Sequence, residues 1–190
     1  QKKQDQKGSA RKTANLQQGK SDLYAFLDGV CTKHLHWLIW VVLAFGLLFS
    51  FLLFDSRISL SGDDSAYIMR AHDFIHHFTY PSFQGPMYPF ILAPVVLIFG
   101  VSLVPLKLIS MISILAFLYL FYVVFRHRIS NFLLLGILFL LSINSYLLYY
   151  ASQTYSEAFY LFVEIIVLFV FFKKFIANEE SVSMKQDLKR

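Results

Sequence analysis

The residues best suited to chemistry lie together between Ser61 and Pro89, in the run SGDDSAYIMRAHDFIHHFTYPSFQGPMYP. Asp63 and Asp64 are adjacent carboxylates, and a carboxylate near a surface can take a proton from an attacking hydroxyl or assist a metal ion. Arg70 supplies a guanidinium suited to an anionic group, while Tyr67 and Tyr88 supply aromatic hydroxyls. The competing reading is purely structural: two acids in the first turn of a helix cap its free N–H groups and complement its dipole. Arg70 in turn has Asp73 three residues on as an ion-pair partner. His72 and His76 stand one turn apart, a zinc-compatible spacing, but no HExxH motif or cysteine partner accompanies them, and a wet helix face accounts for them. The chain has no glycine-rich phosphate loop, and no Ser/His/Asp or Cys/His arrangement stands out.

Two helices must position these residues. Tyr67, Ala71, Phe74, Ile75 and Phe78 recur at i, i+4, i+7, i+8 and i+11, which predicts an apolar face on a helix of about fifteen residues lying along a membrane surface. Ser61 with Asp64 three residues on is a capping-box-like start that leaves Asp63 in the first turn. The apolar run from Met87 to Gly100 contains Pro89 and Pro94 and is short for a span, so it reads as a second juxtamembrane helix. The alternative is a tilted span continuing past Gly100.

The chain carries 57% hydrophobic and 18% aromatic residues, which is too apolar for an ordinary soluble domain. The net charge of +5 does not point to nucleic acid, because Lys and Arg concentrate in the two termini. The pattern predicts an all-α integral membrane protein with about four transmembrane helices, at 35–54, 104–125, 132–150 and 158–172, plus two juxtamembrane amphipathic helices in an outer loop, 55–103. Residues 1–20 are polar enough to be disordered, 21–34 could form an amphipathic helix on the cytoplasmic face, and the tail 175–190 is charged and disordered. The first apolar run is long and lacks a small-residue cleavage pattern, so a signal anchor fits better than a cleaved signal peptide. Lys and Arg crowd before residue 35, at Arg126 and Arg128, and from Lys173 on, whereas Arg57, Arg70 and Lys107 are the basic residues of the opposite side. Positive charge inside then places the amino terminus in the cytoplasm and 55–103 outside the cell membrane. The single Cys31 cannot form an intramolecular disulfide. Glu157 is near the surface; Glu164 is deeper, where an ionisable group faces protein or water, and reads as an interhelical polar contact.

Asp63-Asp64-x-x-Tyr67, the helix after it, and Pro86-x-Tyr88-Pro89 leading into the apolar run to Phe99-Gly100 resemble the first extracytoplasmic loop of the GT-C superfamily of membrane glycosyltransferases. The likeness is to the protein O-mannosyltransferase and aminoarabinose-transferase branch, and the Gln153-Thr154-Tyr155-Ser156-Glu157-Ala158 opening of the fourth predicted span is similar too. The resemblance implies a polyprenyl-phosphate-linked sugar as donor, an acceptor at the outer face, and Asp63 as the catalytic carboxylate. Asp64 would hold the helix start or help bind metal or acceptor, and Tyr67, Arg70 and Tyr88 would contact substrate. A divalent metal ion is an open option; where the aminoarabinose branch has a Glu before the proline this chain has Gln84-Gly85-Pro86, and no metal residues are assigned. The chain looks like the amino-terminal part of a longer enzyme, inactive if it stops at residue 190. The alternative is a noncatalytic small membrane protein, an accessory or assembly subunit with membrane-protein partners. A transporter fragment fits less well, because no intramembrane charge pair or broken-helix repeat is evident in the sequence.

Overall fold

In a medium without water every backbone N–H and C=O must be satisfied within its own segment, so apolar runs of this length fold as helices. The computed structural model describes residues 2–59, 62–82 and 85–176, and no strand occurs among them. The helices are α1 (Lys2–Leu52), α2 (Asp63–His77), α3 (Met87–Phe99), α4 (Leu103–Phe125), α5 (Asn131–Ser142), α6 (Ser145–Ala151) and α7 (Ser156–Phe171), followed by a π-helical turn, Phe172–Ile176. Asp22–Leu52 and Leu103–Phe125 are long and apolar enough to cross a membrane, and α5 with α6 makes a third if that bent pair is one span.

Several expectations change. The helix α1 runs unbroken from Lys2, where the sequence predicts a disordered tail and a separate helix over 21–34. Gln, Lys, Ala and Arg are good helix formers, and extending an existing helix avoids the cost of nucleation. The predicted single span 132–150 is instead two helices bent by 57°. Asn144 causes the break: its side-chain oxygen accepts from the N–H groups of Tyr146 (3.0 Å) and Leu147 (3.2 Å), an N-cap that starts a new helix. The predicted segment 158–172 corresponds to α7, which has 16 residues, about 24 Å at the usual rise, before the π turn carries the helical path to Ile176. Of the tail 175–190, residues 177–190 lie outside the described residues.

The core of the bundle is apolar and shared by five helices. Ile39 and Val42 of α1, Ile114 and Leu118 of α4, Leu134 and Leu138 of α5, Ala151 of α6 and Ala158 of α7 are all buried in it. At one end Asp28 accepts from the Phe132 N–H (2.8 Å), Asn131 donates to Thr32 (2.8 Å), Tyr24 hydrogen-bonds Ser130, and the Arg128 guanidinium lies 4.0 Å from the Phe172 ring centre. At the other end Lys107 of α4 reaches the loop after α1 and the loop before α7. Hence α1 and the α5–α6 pair run one way, and α4 and α7 run the other.

Helices α2 and α3 pack together beside the start of α4 in a second cluster, with Tyr67, Ile68, Ala71, Tyr88, Leu92, Ala93, Val96 and Leu106 buried. The apolar face predicted for α2 holds through Ala71, with Phe74 and Ile75 partly buried. Phe78 departs from it: it takes φ 52° as the C-cap, leaves the helical path and is 86% exposed. Gly100, at φ 64°, separates α3 from α4, so α3 does not continue as a tilted span. That left-handed backbone is one a side chain rarely adopts.

Candidate functional site

The polar end of the bundle is organised by two buried charges. Asp64, in the first turn of α2, is fully buried; its Oδ1 accepts from the Thr154 N–H (3.1 Å) and its Oδ2 from the Ser59 N–H (3.3 Å). Lys107, one turn into α4, is fully buried as well, with Nζ 3.6 Å from Asp64 Oδ2. Its ammonium donates to the carbonyl of Asp55 (2.8 Å), the carbonyl of Arg57 and Oε1 of Gln153 (3.0 Å). An ammonium has three protons, and here each has an acceptor. A buried ion pair is tolerable only when its remaining donors and acceptors are satisfied in this way. Tyr155 reinforces the same junction by donating to the Ser59 hydroxyl at 2.8 Å.

Gly62, at φ 79°, turns the chain into α2. Consecutive helical residues point about 100° apart. With Asp64 directed inward, Asp63 is exposed at the same helix mouth. The two carboxylates therefore occupy different environments. Asp64 ties α2 to α4 and to the α6–α7 loop, so its carboxylate is engaged in anchoring rather than presented as a ligand for metal or acceptor.

One turn on, the Tyr67 hydroxyl lies 3.0 Å from the Ser156 hydroxyl, and its ring meets Tyr88 edge-on at 5.1 Å. The Arg70 guanidinium lies 5.8 Å from the Tyr67 ring centre. Tyr88 hydrogen-bonds Ser110 (3.0 Å). Burial pushes the Tyr88 hydroxyl well above the usual tyrosine range, and the Asp64 and Glu157 carboxylates add to that against the opposing Ser110 bond, so it remains a neutral O–H. Tyr88 also forms part of the wall of an open groove of about 460 Å³ between the start of α3 and the start of α7, with Met87, Phe159, Tyr160 and Val163 as apolar walls and Ser156 and Glu157 as the polar groups.

Of the sequence-predicted site residues, Asp64, Tyr67 and Tyr88 converge on the junction of α2, α3, α4 and α7. Asp63 is exposed beside it, and Arg70 borders a separate small recess with Asp73, Thr79 and Tyr80. The rings of His72 and His76 lie 4.3 Å apart, tilted by 44°, with His72 Nδ1 3.5 Å from Asp73. Among the described residues no group of three or more His, Cys, Asp or Glu side chains could hold a metal ion. Lys107, Gln153, Thr154 and Ser59 are the members sequence reasoning missed. A signal for Lys107 is present in the sequence: a charge inside an apolar run marks a partnered site, whereas the charge count treats it, with Arg57 and Arg70, as one of the outer cations open to a phosphate. Glu164, expected in an interhelical contact, instead faces outward from α7.

Set against family models, curated proteins and solved structures, the chain gives no match in any of the three comparisons.

Proposed function

We propose that this chain is a glycosyltransferase of GT-C type, or the amino-terminal portion of one, that moves a sugar from a polyprenyl-phosphate donor to an acceptor at the outer face of a cell membrane. In this reading α1, α4, the α5–α6 pair, and α7 with its π turn are four spans. The amino terminus is cytoplasmic, and α2 and α3 lie at the outer surface. The acceptor hydroxyl attacks the anomeric carbon, a new C–O bond forms, and the bond to the phosphate oxygen breaks. Polyprenyl phosphate departs with the electron pair, and the hydroxyl proton passes to the Asp63 carboxylate. In this reading the Arg70 guanidinium, on the same helix as the acids, faces the phosphate, and the apolar groove beside Tyr88 suits a prenyl chain.

The observation that carries this reading is the division between adjacent acids: Asp64 fully buried against Lys107, Asp63 exposed at the same helix mouth. A general base must be both accessible and held in place, and the buried neighbour supplies the second condition. The test is sugar transfer from a polyprenyl-phosphate donor pool in membranes carrying the gene product, wild type beside Asp63→Asn at equal expression. Transfer lost only in the variant supports Asp63 as base; equal transfer removes it.

A noncatalytic accessory subunit is the second reading. It is favoured by the Asp64–Lys107–Gln153 network, in which each proton of the Lys107 ammonium has an acceptor within the fold. A transporter draws some support from the charge pair and the bent α5–α6, but the pair lies at the bundle end rather than mid-span and only one break occurs among the described helices.

A further inference from the structure

At the end of the bundle away from Asp63, α4 and α7 stop side by side, and Phe125 of α4 meets Phe172, just past α7, at 6.3 Å. Four exposed cations gather there, Arg126 and Arg128 after α4 and Lys173 and Lys174 in the π turn. Three of them reach back to the residue four positions earlier. The Arg126 guanidinium lies 5.9 Å from the Tyr122 ring centre, and the Lys173 ammonium lies 6.0 Å from that of Phe169. Arg128 donates to the Val124 carbonyl, and its guanidinium lies 4.0 Å from the Phe172 ring centre. Among the described residues no carboxylate forms an ion pair with any of the four. Asp28, an acid at this end, is engaged by the Phe132 N–H.

Cations at helix C-termini meet the unpaired carbonyls there, and Arg128 does so at Val124. That does not account for Arg126 and Lys173, whose charges lie along ring faces back toward the middle of the bundle. Cations serving a soluble partner would extend away from the bundle end. These lie where α4, long and apolar enough to cross a membrane, leaves the apolar layer. The anions at that depth are lipid phosphates. We infer that the junction of the α4 and α7 ends binds an anionic phospholipid, one whose headgroup has no amine to balance its phosphate. Arg128, held by Val124 and Phe172, is the fixed guanidinium, and Arg126, Lys173 and Lys174 supply the further positive charge. The segment 177–190 does not offset that charge, because Glu179, Glu180 and Asp187 are matched within it by Lys185, Lys189 and Arg190. The inference goes beyond sugar transfer: it rests on α4 as a span, not on the role given to Asp63, and leaves the groove beside Tyr88 to the donor.

The probe is phosphatidylglycerol beside phosphatidylcholine with the same acyl chains, added to the full chain in neutral detergent micelles and read as bound lipid per protein by native mass spectrometry. Phosphatidylglycerol should bind roughly tenfold more tightly, and the preference should shrink as salt is raised. Arg126→Gln combined with Lys173→Gln changes two exposed side chains outside the core and should bring the preference to about twofold or below. Unchanged phosphatidylcholine binding shows that this variant is folded. Arg57→Gln, at the opposite end of the bundle, should leave the preference intact. Equal binding of the two lipids, a preference that survives the double variant, or one lost equally in Arg57→Gln overturns the inference. So does a preference that emerges only in Glu179→Gln combined with Glu180→Gln, which would make the chain's own acids the occupant. Displacement of phosphatidylglycerol by an equal concentration of inorganic phosphate does the same, making a soluble anion the occupant.

Discussion

Replacing Lys107 with Met should be among the most damaging single changes available in this chain. The substitution keeps most of the length of the side chain and removes the ammonium, leaving the Asp64 carboxylate at 0% exposure without its counter-charge. Removing one partner of a buried pair typically costs about 3–5 kcal/mol, mostly from the stranded charge. The three former acceptors fare differently. The carbonyls of Asp55 and Arg57 belong to a loop with exposed side chains and can turn to water, while Gln153 Oε1 is buried and adds roughly 1 kcal/mol. About 4 kcal/mol is therefore expected, a large share of a typical total of about 5–15 kcal/mol. Adding Asp64→Asn should recover part of this loss, because the amide removes the stranded charge while its oxygen still accepts one of the two backbone N–H groups. The coupling between the two sites should be about 2 kcal/mol. Equilibrium unfolding in mixed micelles, followed by tyrosine and tryptophan fluorescence, measures all four members of the cycle. A loss below about 1 kcal/mol for Lys107→Met, or strict additivity in the double variant, would refute the claim that the two charges form one buried unit.

At Gly46 an added Cβ would sit 3.4 Å from Leu118 Cδ1 and 3.6 Å from Ser142 Cβ. Gly46→Ala should accordingly be neutral or up to about 1 kcal/mol stabilising, and Gly46→Leu destabilising by about 1–3 kcal/mol, both read from the same unfolding curves. Asn144→Ala removes the cap of α6 and should cost about 1 kcal/mol, with Asn144→Asp retaining most of it; unchanged stability in the alanine variant would show that the bend has another cause. The Asp55 carboxyl is held below its ordinary value near 3.8 by hydrogen bonds from the Arg57 N–H and then its guanidinium. Because the folded value is the lower one, any clasp stabilisation is present above the ordinary carboxylate range and fades as the pH falls through the depressed value. A carbon NMR titration of Asp55 should therefore show a midpoint below that of Arg57→Ala, which keeps the N–H and loses the guanidinium, and coincident midpoints would remove the guanidinium from the clasp.

Periodicity and hydropathy made much of this architecture legible. The second predicted span at 104–125 meets α4 at Leu103–Phe125, and the predicted helix of about fifteen residues meets α2 at Asp63–His77 in its bounds. Local signals failed where a single side chain outweighed the pattern. Asn144 interrupts a run that hydropathy treats as continuous, because two backbone hydrogen bonds to its side chain are a local effect that a window average removes. Phe78 fits the apolar face by spacing, yet the left-handed cap at that residue ends the helix and turns it outward. The site was half legible. The acid pair was visible as sequence, but which acid is buried depends on Lys107 and Thr154, separated from Asp64 by 43 and 90 positions, and no local pattern encodes that meeting.

The arrangement at the mouth of α2 also bears on why an ion pair stands there at all. Two well-packed apolar side chains of similar volume commonly match or exceed the stability of a buried pair, so stability by itself does not account for Asp64 and Lys107. What an apolar pair cannot do is accept from two backbone N–H groups and donate to three separate oxygens. Through those bonds the pair fixes the loop after α1, the first turn of α2, the first turn of α4 and the strand-free link before α7 in one register. Asp63 is covalently the next residue to this fixed point, so its carboxylate inherits the position without being desolvated. An exposed carboxylate on a rigid base loses little freedom on meeting a substrate, which is what the role proposed for Asp63 requires.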